Sequence, residues 1–304
     1  MALWPNQKRI EYATVLHPDE ETILVDIKRE PLDGFPRPLS LKGLQLNAEV
    51  PLKRWRLSYT GELMAFKNED FPPHPLRLLL SRKKMVPVSF ELAFDGINPC
   101  FHFGHHLYTD GGQLLSEVDP DFWGDIGLDH IEQSGVVTGE ITLDGDARKI
   151  EGFGERDHSW GVRDFLFVDR YRLFTMFFSK DFTIQCSRLE KGSTNIYTGF
   201  VYKDGVNHPV THVNVETTYD HRGLHKQVDL DIGYGSHTLK VQGDVKRISR
   251  IPPLREHNPL KLLFKPYPLV LHDGYTVFTC GDRTGYGLAE YCNVVPDPRR
   301  SARR

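Results

Sequence analysis

Between Gly152 and Asp164 the chain reads GFGERDHSWGVRD, where two aspartates, a glutamate, two arginines and a histidine crowd around a single tryptophan. Carboxyl and imidazole groups exchange protons near neutral pH once their surroundings shift them. Arginines hold carboxylates through charge-assisted hydrogen bonds, and an indole face attracts a cation. On an extended strand side chains alternate with period two. Glu155, Asp157 and Ser159 then share one face, and Arg156, His158 and Trp160 share the other. Asp157 points away from Trp160 unless Gly154 or Gly161 marks a bulge that re-aims it. Arg163 and Asp164 follow directly and are placed to brace the carboxylates. Two readings stand side by side. The cluster is a structural network at a domain junction with Trp160 as its anchor, or it is an active site. Burying this many ionisable groups is costly unless they are paired, and shifted carboxylates and histidines concentrate at active sites.

The rest of the chain narrows the setting. Its 304 residues are 39% hydrophobic and 11% aromatic, enough for one large or two ordinary domains with a sizeable core. A net charge of -3 gives no reason to expect nucleic acid or an anionic membrane as partner. Cys100, Cys186, Cys280 and Cys292 are scattered without a CxxC spacing, which argues against a disulfide framework and a zinc site. The first residues, MALWPNQKRIEYATV, have no apolar signal core. No apolar run approaches the roughly 20 residues of a membrane helix. The expectation is a cytoplasmic protein needing no cofactor or metal.

The elements that must position the cluster read as strands. RWRLSYTGEL, VSFELAFDG, YRLFTMFFSKDFTIQCSRLEKG and QVDLDIGYGSHTLKVQG alternate apolar and polar residues, with DG and KDG between strands. Asp-Gly supplies the positive φ angles of type I′ hairpins. Helix is scarce: residues 75–85 form either a short helix or a buried run, and the Pro-rich stretch 251–270 reads as a long connection. About 18 strands are too many for one small barrel. The expected fold is all-β, with two antiparallel β-barrel or sandwich domains packed together, residues 1–150 and 151–304.

The run GFGERDHSWGVRD, entered through HIEQSGVVTGEITLDGDARKIE, resembles the signature of the lipocalin-like family that includes carotenoid 1,2-hydratase (hydroxyneurosporene synthase) and kievitone hydratase. RWRLSYTGEL and GYGLAEY resemble edge features of an uncharacterised bacterial branch of it. The resemblance implies two lipocalin-like barrels and cofactor-free chemistry on an apolar, isoprenoid-like substrate: hydration of a trisubstituted alkene, or cyclisation or isomerisation. It implicates His158 and Trp160, with an acidic and a tyrosyl residue on a following strand. There this chain has Gln185, Cys186 and Ser187. The mechanism that fits is protonation of an alkene by Asp157, kept protonated in an apolar cavity and held by His158. Trp160 would stabilise the resulting tertiary carbocation by about 0.5–2 kcal/mol. Should Arg156 or Arg163 take Asp157, that carboxylate stays ionised and serves as base or hinge instead.

Other residues enter this frame as alternatives. Glu290, on the expected last strand, is a second candidate acid. His102, His105 and His106 in HFGHH are potential metal ligands but read better as loop histidines at a cavity rim. Trp123 reads as a lid or domain contact, and Cys186 as a small buried hydrophobe. Against the enzyme stands a carrier of apolar ligands, whose charged motif only braces the domains. Carrier status predicts Asp157 and His158 both turned from the cavity, whereas enzyme status predicts one of them facing it beside Trp160. A hydrolase is weaker, because no GxSxG is present. Trp160 is expected to be mostly buried.

Overall fold

The structure is a computed structural model that describes residues 1–4, 8–32, 39–71, 84–118, 129–161, 168–251 and 269–294. Among the described residues strand makes up 76% and helix 4%, so the all-β class holds. The strands are β1 Ala2–Trp4, β2 Arg9–Leu16, β3 Thr22–Pro31, β4 Leu39–Leu41, β5 Leu44–Val50, β6 Arg54–Lys67, β7 Lys84–Gly96, β8 Phe101–His102, β9 Tyr108–Thr109 and β10 His130–Leu143. They continue with β11 Asp146–Ser159, β12 Arg170–Ser179, β13 Phe182–Lys191, β14 Thr194–Lys203, β15 Val206–Tyr219, β16 His225–Tyr234, β17 His237–Ile251, β18 Leu269–Cys280 and β19 Arg283–Val294.

Local sequence sets the hairpins. Asp144 and Gly145 have φ of 51° and 87°, and Asp204 and Gly205 have 54° and 78°. Two successive positive φ angles are what a type I′ turn between right-twisted strands requires. Of the segments expected to be irregular or helical, Lys84 and Met85 belong to β7. The rest of 75–85, the interior of 251–270 and Trp123 lie outside the described residues.

Strands β12 to β19 form a closed eight-stranded antiparallel barrel. Each pairs with its neighbour in sequence, and β12 pairs with β19 to complete the ring. This is the up-and-down architecture of lipocalins. Phe174, Met176, Ile184, Val213, Ile232 and Phe278 are fully buried in its core, and Cys186 joins them as expected. The other sheet runs β1-β2-β3-β6-β7-β10-β11. This second antiparallel sheet fits the expected second barrel or sandwich domain, and no pairing among the described residues closes it. Within it β6 shares its length between two partners. Arg54–Tyr59 pair with β5 and Met64–Lys67 with β3, so the sheet forks. Its core centres on Tyr12, Leu24, Tyr59, Leu63 and Val88. The Tyr12 and Tyr59 hydroxyls both donate to Asp26 Oδ2 at 3.0 Å.

The chain divides into two compact units, one drawn from Met1–Ile97 and Gly135–Gly154, the other from Asn98–Ser134, Glu155–Glu256 and Lys261–Arg304. The segment 98–134 belongs with the barrel, because β10 and β11 each run from one unit into the other. No helix among the described residues is long and apolar enough to cross a membrane.

Candidate active site

The end of β11 keeps the period-two arrangement expected of it. On one face the His158 and Trp160 rings meet edge to face with centroids 5.3 Å apart. Arg156 Nη2 lies 3.2 Å from His158 Nδ1. A guanidinium can only donate, so His158 Nδ1 accepts and any ring proton sits on Nε2. Partial burial and the Arg156 charge push the His158 pKa down. Trp160 is 43% exposed, not mostly buried as expected. Residue type shows that an indole gains by burial, but not that this end of β11 is open, with Asp157 and His158 exposed as well. Arg163 and Asp164 lie outside the described residues.

On the opposite face Glu155 reaches the outside of the barrel, where Thr175 Oγ1 of β12 donates to its Oε2 at 2.5 Å. Asp157 meets His130, whose Nε2 lies 2.7 Å from Asp157 Oδ1 and 3.2 Å from Glu132 Oε1. Asp157 is therefore held by His130, not by His158. Its side chain is also 54% exposed, which removes the desolvation that an apolar cavity was expected to supply. His130 and Glu132 are buried. With Asp157 they bring one nitrogen and two carboxylates to within 4.8 Å of one another, a donor set able to hold a divalent cation. Both separations are from the one His130 nitrogen, which has hydrogen-bond geometry to neither carboxylate. The HFGHH histidines form no such group among the described residues. His102 stacks on His105 and His106 on Phe101.

The second candidate acid, Glu290, stands at the centre of the outer face of the barrel. On β19 it lies opposite Leu173 of β12 and opposite Asp273 of β18. The Tyr171 hydroxyl donates to Glu290 Oε1. Burial raises the Glu290 pKa and the Asp157 charge adds to the rise, while the hydrogen bond from Tyr171 works against it. Burial also pushes Asp273 up to about 8, reinforced by repulsion from Glu290. Glu155 rises to about 8 through burial and the charges of Asp157 and Glu290, with the Thr175 hydrogen bond opposing. Tyr171 is pushed well above its usual value by burial and by Glu290, so it remains a phenol donor. Carboxyls this close cannot all ionise, and the cluster retains protons at neutral pH.

Register extends this outer face sideways. Leu173 stands opposite Ser187, Ser187 opposite Thr198, and Thr175 opposite Gln185. Thr183, Gln185, Ser187 and Thr198 are 0–2% exposed. Their side-chain polar atoms, both ends of the Gln185 amide included, have no hydrogen-bond partner among the described residues. Each such orphan costs about 1–3 kcal/mol. The positions expected to hold an acid and a tyrosine thus present a neutral polar patch. A carboxyl and a phenol meet elsewhere on the outer face, at Glu290 and Tyr171.

Sequence reading assigned no role to Tyr171, Asp273, Thr175, His130 or Glu155. Asp273 and Glu290 each carry a faint signal, a carboxyl amid the apolar residues of a strand. That they meet depends on a register the sequence does not display.

Among solved structures the chain is similar to kievitone hydratase from Nectria haematococca, with 9% identity over 94% of this chain and 87% of that one and a TM-score of 0.44. It is also similar to CghA, with 11% identity over 95% and 88% and a TM-score of 0.45. Likeness at this level carries no argument about activity or substrate. No curated protein matches the sequence. The chain belongs to the family described as a domain of unknown function, DUF7064, whose profile matches residues 1–295.

Proposed function

We propose that this protein is an enzyme that protonates a carbon–carbon double bond of an apolar, isoprenoid-like substrate, with hydration or cyclisation as the outcome, and that Glu290 is the acid. The observation that carries the reading is the buried carboxyl pair Asp273–Glu290 with the Tyr171 phenol on Glu290. A carboxylic acid held neutral at pH 7 is the form able to deliver a proton.

In the first step the Glu290 O–H bond breaks and its proton forms a C–H bond at the less substituted alkene carbon, using the π electrons. A tertiary cation and a carboxylate result. Water or a hydroxyl of the substrate then bonds to the cation through oxygen and loses its O–H proton. Alternatively a second double bond bonds to the cation, and the new cation so formed loses a proton from an adjacent C–H to give an alkene. In either case the proton released returns to Glu290. Tyr171 steadies the carboxylate, and the nearby carboxyl groups disfavour its charge so that it recovers the proton. General acid catalysis of this kind supplies about 10²–10⁴-fold. Trp160 has less support as a cation stabiliser, being on the opposite strand face from Glu155 and Asp157 and open to solvent. The filled interior of the barrel favours a site on its outer face over a carrier holding its ligand within.

Reaction in D₂O tests the proposal. Protonation of an alkene leaves deuterium on carbon whether the cation is hydrated or cyclised. Geraniol, farnesol and 2-geranylhydroquinone serve as probes, read by mass spectrometry. Wild-type protein is expected to incorporate deuterium into at least one of them, and Glu290→Gln to incorporate none while unfolding at an unchanged temperature. Undiminished incorporation by folded Glu290→Gln removes Glu290 from the role.

A further inference from the structure

The buried polar patch on β13 and β14 has no part in the proton transfer just described. Thr183, Gln185 and Ser187 alternate along β13 on the side facing out of the barrel, and Thr198 joins them from β14. Four polar side chains at 0–2% exposure, without partners among the described residues, form an unusual buried cluster in a folded protein. None of the four is ionisable. The patch offers hydroxyls that donate or accept and one amide that does both. Cys186, between Gln185 and Ser187, points the other way into the barrel core, so the polar residues occupy only the outward positions of the strand.

The patch has a defined place relative to the acid. One continuous cross-strand row runs Asp273, Glu290, Leu173, Ser187, Thr198 over five strands. The next row places Gln185 beside Thr175, which holds Glu155. With neighbouring strands about 4.8 Å apart, Ser187 lies about 10 Å and Thr198 about 14 Å from Glu290. Leu173 separates the two ends with an apolar step. Along this row the protein presents a proton donor, an apolar surface and then neutral hydrogen-bonding groups.

Given the reading of Glu290 as the acid, we infer that the β13–β14 patch is the specificity surface of the same site and selects an oxygenated ligand, one carrying hydroxyl or carbonyl groups about 10–14 Å from the double bond that is protonated. A pure hydrocarbon leaves the patch unsatisfied and is disfavoured, because a site built to hydrogen-bond an oxygen rejects the analogue lacking it.

The test uses two probes that differ only at one end, 2-geranylhydroquinone and geranylbenzene, with binding measured by isothermal titration calorimetry on the full chain. Wild-type protein is expected to bind the hydroquinone at least about tenfold more tightly. Ser187→Ala and Thr198→Val should each cut that ratio by roughly three- to tenfold, and Gln185→Leu should bring it close to one. Thermal unfolding of the same variants should be unchanged or shifted upward, because replacing an orphaned polar group by an apolar one of similar shape removes a cost. A wild-type ratio near one overturns the inference. So does a ratio that the variants leave intact, or one lost only in step with a falling unfolding temperature, which assigns the patch a structural role. Glu290→Gln should keep the binding ratio while losing deuterium incorporation, so the acid and the specificity surface can fail separately.

Discussion

Asp273 and Glu290 face one another directly across the β18–β19 pair, two carboxyl groups on adjacent strands with the Tyr171 phenol bound to one of them. The pair cannot shed both protons as readily as isolated acids, and its titration determines how the protein responds to pH.

The first prediction concerns stability. Glu155 and Asp273 titrate near 8 in the folded protein and near 4 when unfolded. The folded state therefore binds more protons between those values. Their contribution is fully present below about pH 4, declines as pH rises and is gone above about 8. Urea unfolding at pH 5.5 and 8.5 should show wild-type protein weaker at the higher pH, with a smaller difference in Asp273→Asn. An equal pH dependence in the two proteins would falsify the assignment of Asp273 as a retained acid.

Tyr171→Phe should move the alkaline limb of activity. The phenol stabilises the Glu290 carboxylate and holds its pKa down against burial. Without it Glu290 ionises at higher pH. Deuterium incorporation followed against pH should show the limb displaced upward. A limb that stays in place means the phenol does not act on the group that titrates.

Asp157→Asn should move the same limb the other way. The negative charge of Asp157 raises both Glu155 and Glu290, so its removal lets them ionise at lower pH, while Asn keeps the shape of the side chain beside His130. Activity at neutral pH should fall a few-fold and persist at pH 6. Complete loss at every pH in a folded variant would return Asp157 to the role of proton donor.

Two contrasting substitutions test the placement of the site. Trp160→Phe, at a residue 43% exposed, should change stability by no more than about 1 kcal/mol and leave deuterium incorporation within a few-fold. Gly199→Ala, by contrast, places a Cβ 2.1 Å from the Gln185 carbonyl oxygen at φ +125°. It should cost about 3 kcal/mol or more in urea unfolding. A mild Gly199→Ala would mean that the β13–β14 pairing beneath Gln185 is looser than described.

What sequence revealed of this protein was local. Alternation and Asp-Gly turns report on single strands and hairpins, and both were legible, as was the division of Glu155–Trp160 into two faces. The candidate acids were harder to rank. Asp157 stood out because ionisable neighbours surround it in sequence, whereas Glu290 gains its neighbours, Tyr171 and Asp273, only through pairing. Burial of Trp160 was misread for a related reason: how far the end of β11 is covered depends on tertiary surroundings, and Asp157 and His158 beside it are exposed too. Gln185 and Ser187 were visible only as the absence of an expected acid and tyrosine, because an unsatisfied amide is a property of three-dimensional surroundings.

Every pairing in the barrel joins strands adjacent in sequence except β12 with β19. Tyr171 and Glu290, 119 residues apart, sit on that one pairing. The other seven can form as successive hairpins, whereas the last must close a loop spanning most of the C-terminal half, at a correspondingly large entropic cost. The acid and its phenol therefore come together only when the ring shuts. A chain released before β19 has been synthesised can build a meander but no proton donor, and during refolding the appearance of activity should keep time with the slowest, longest-range step rather than with the formation of strands.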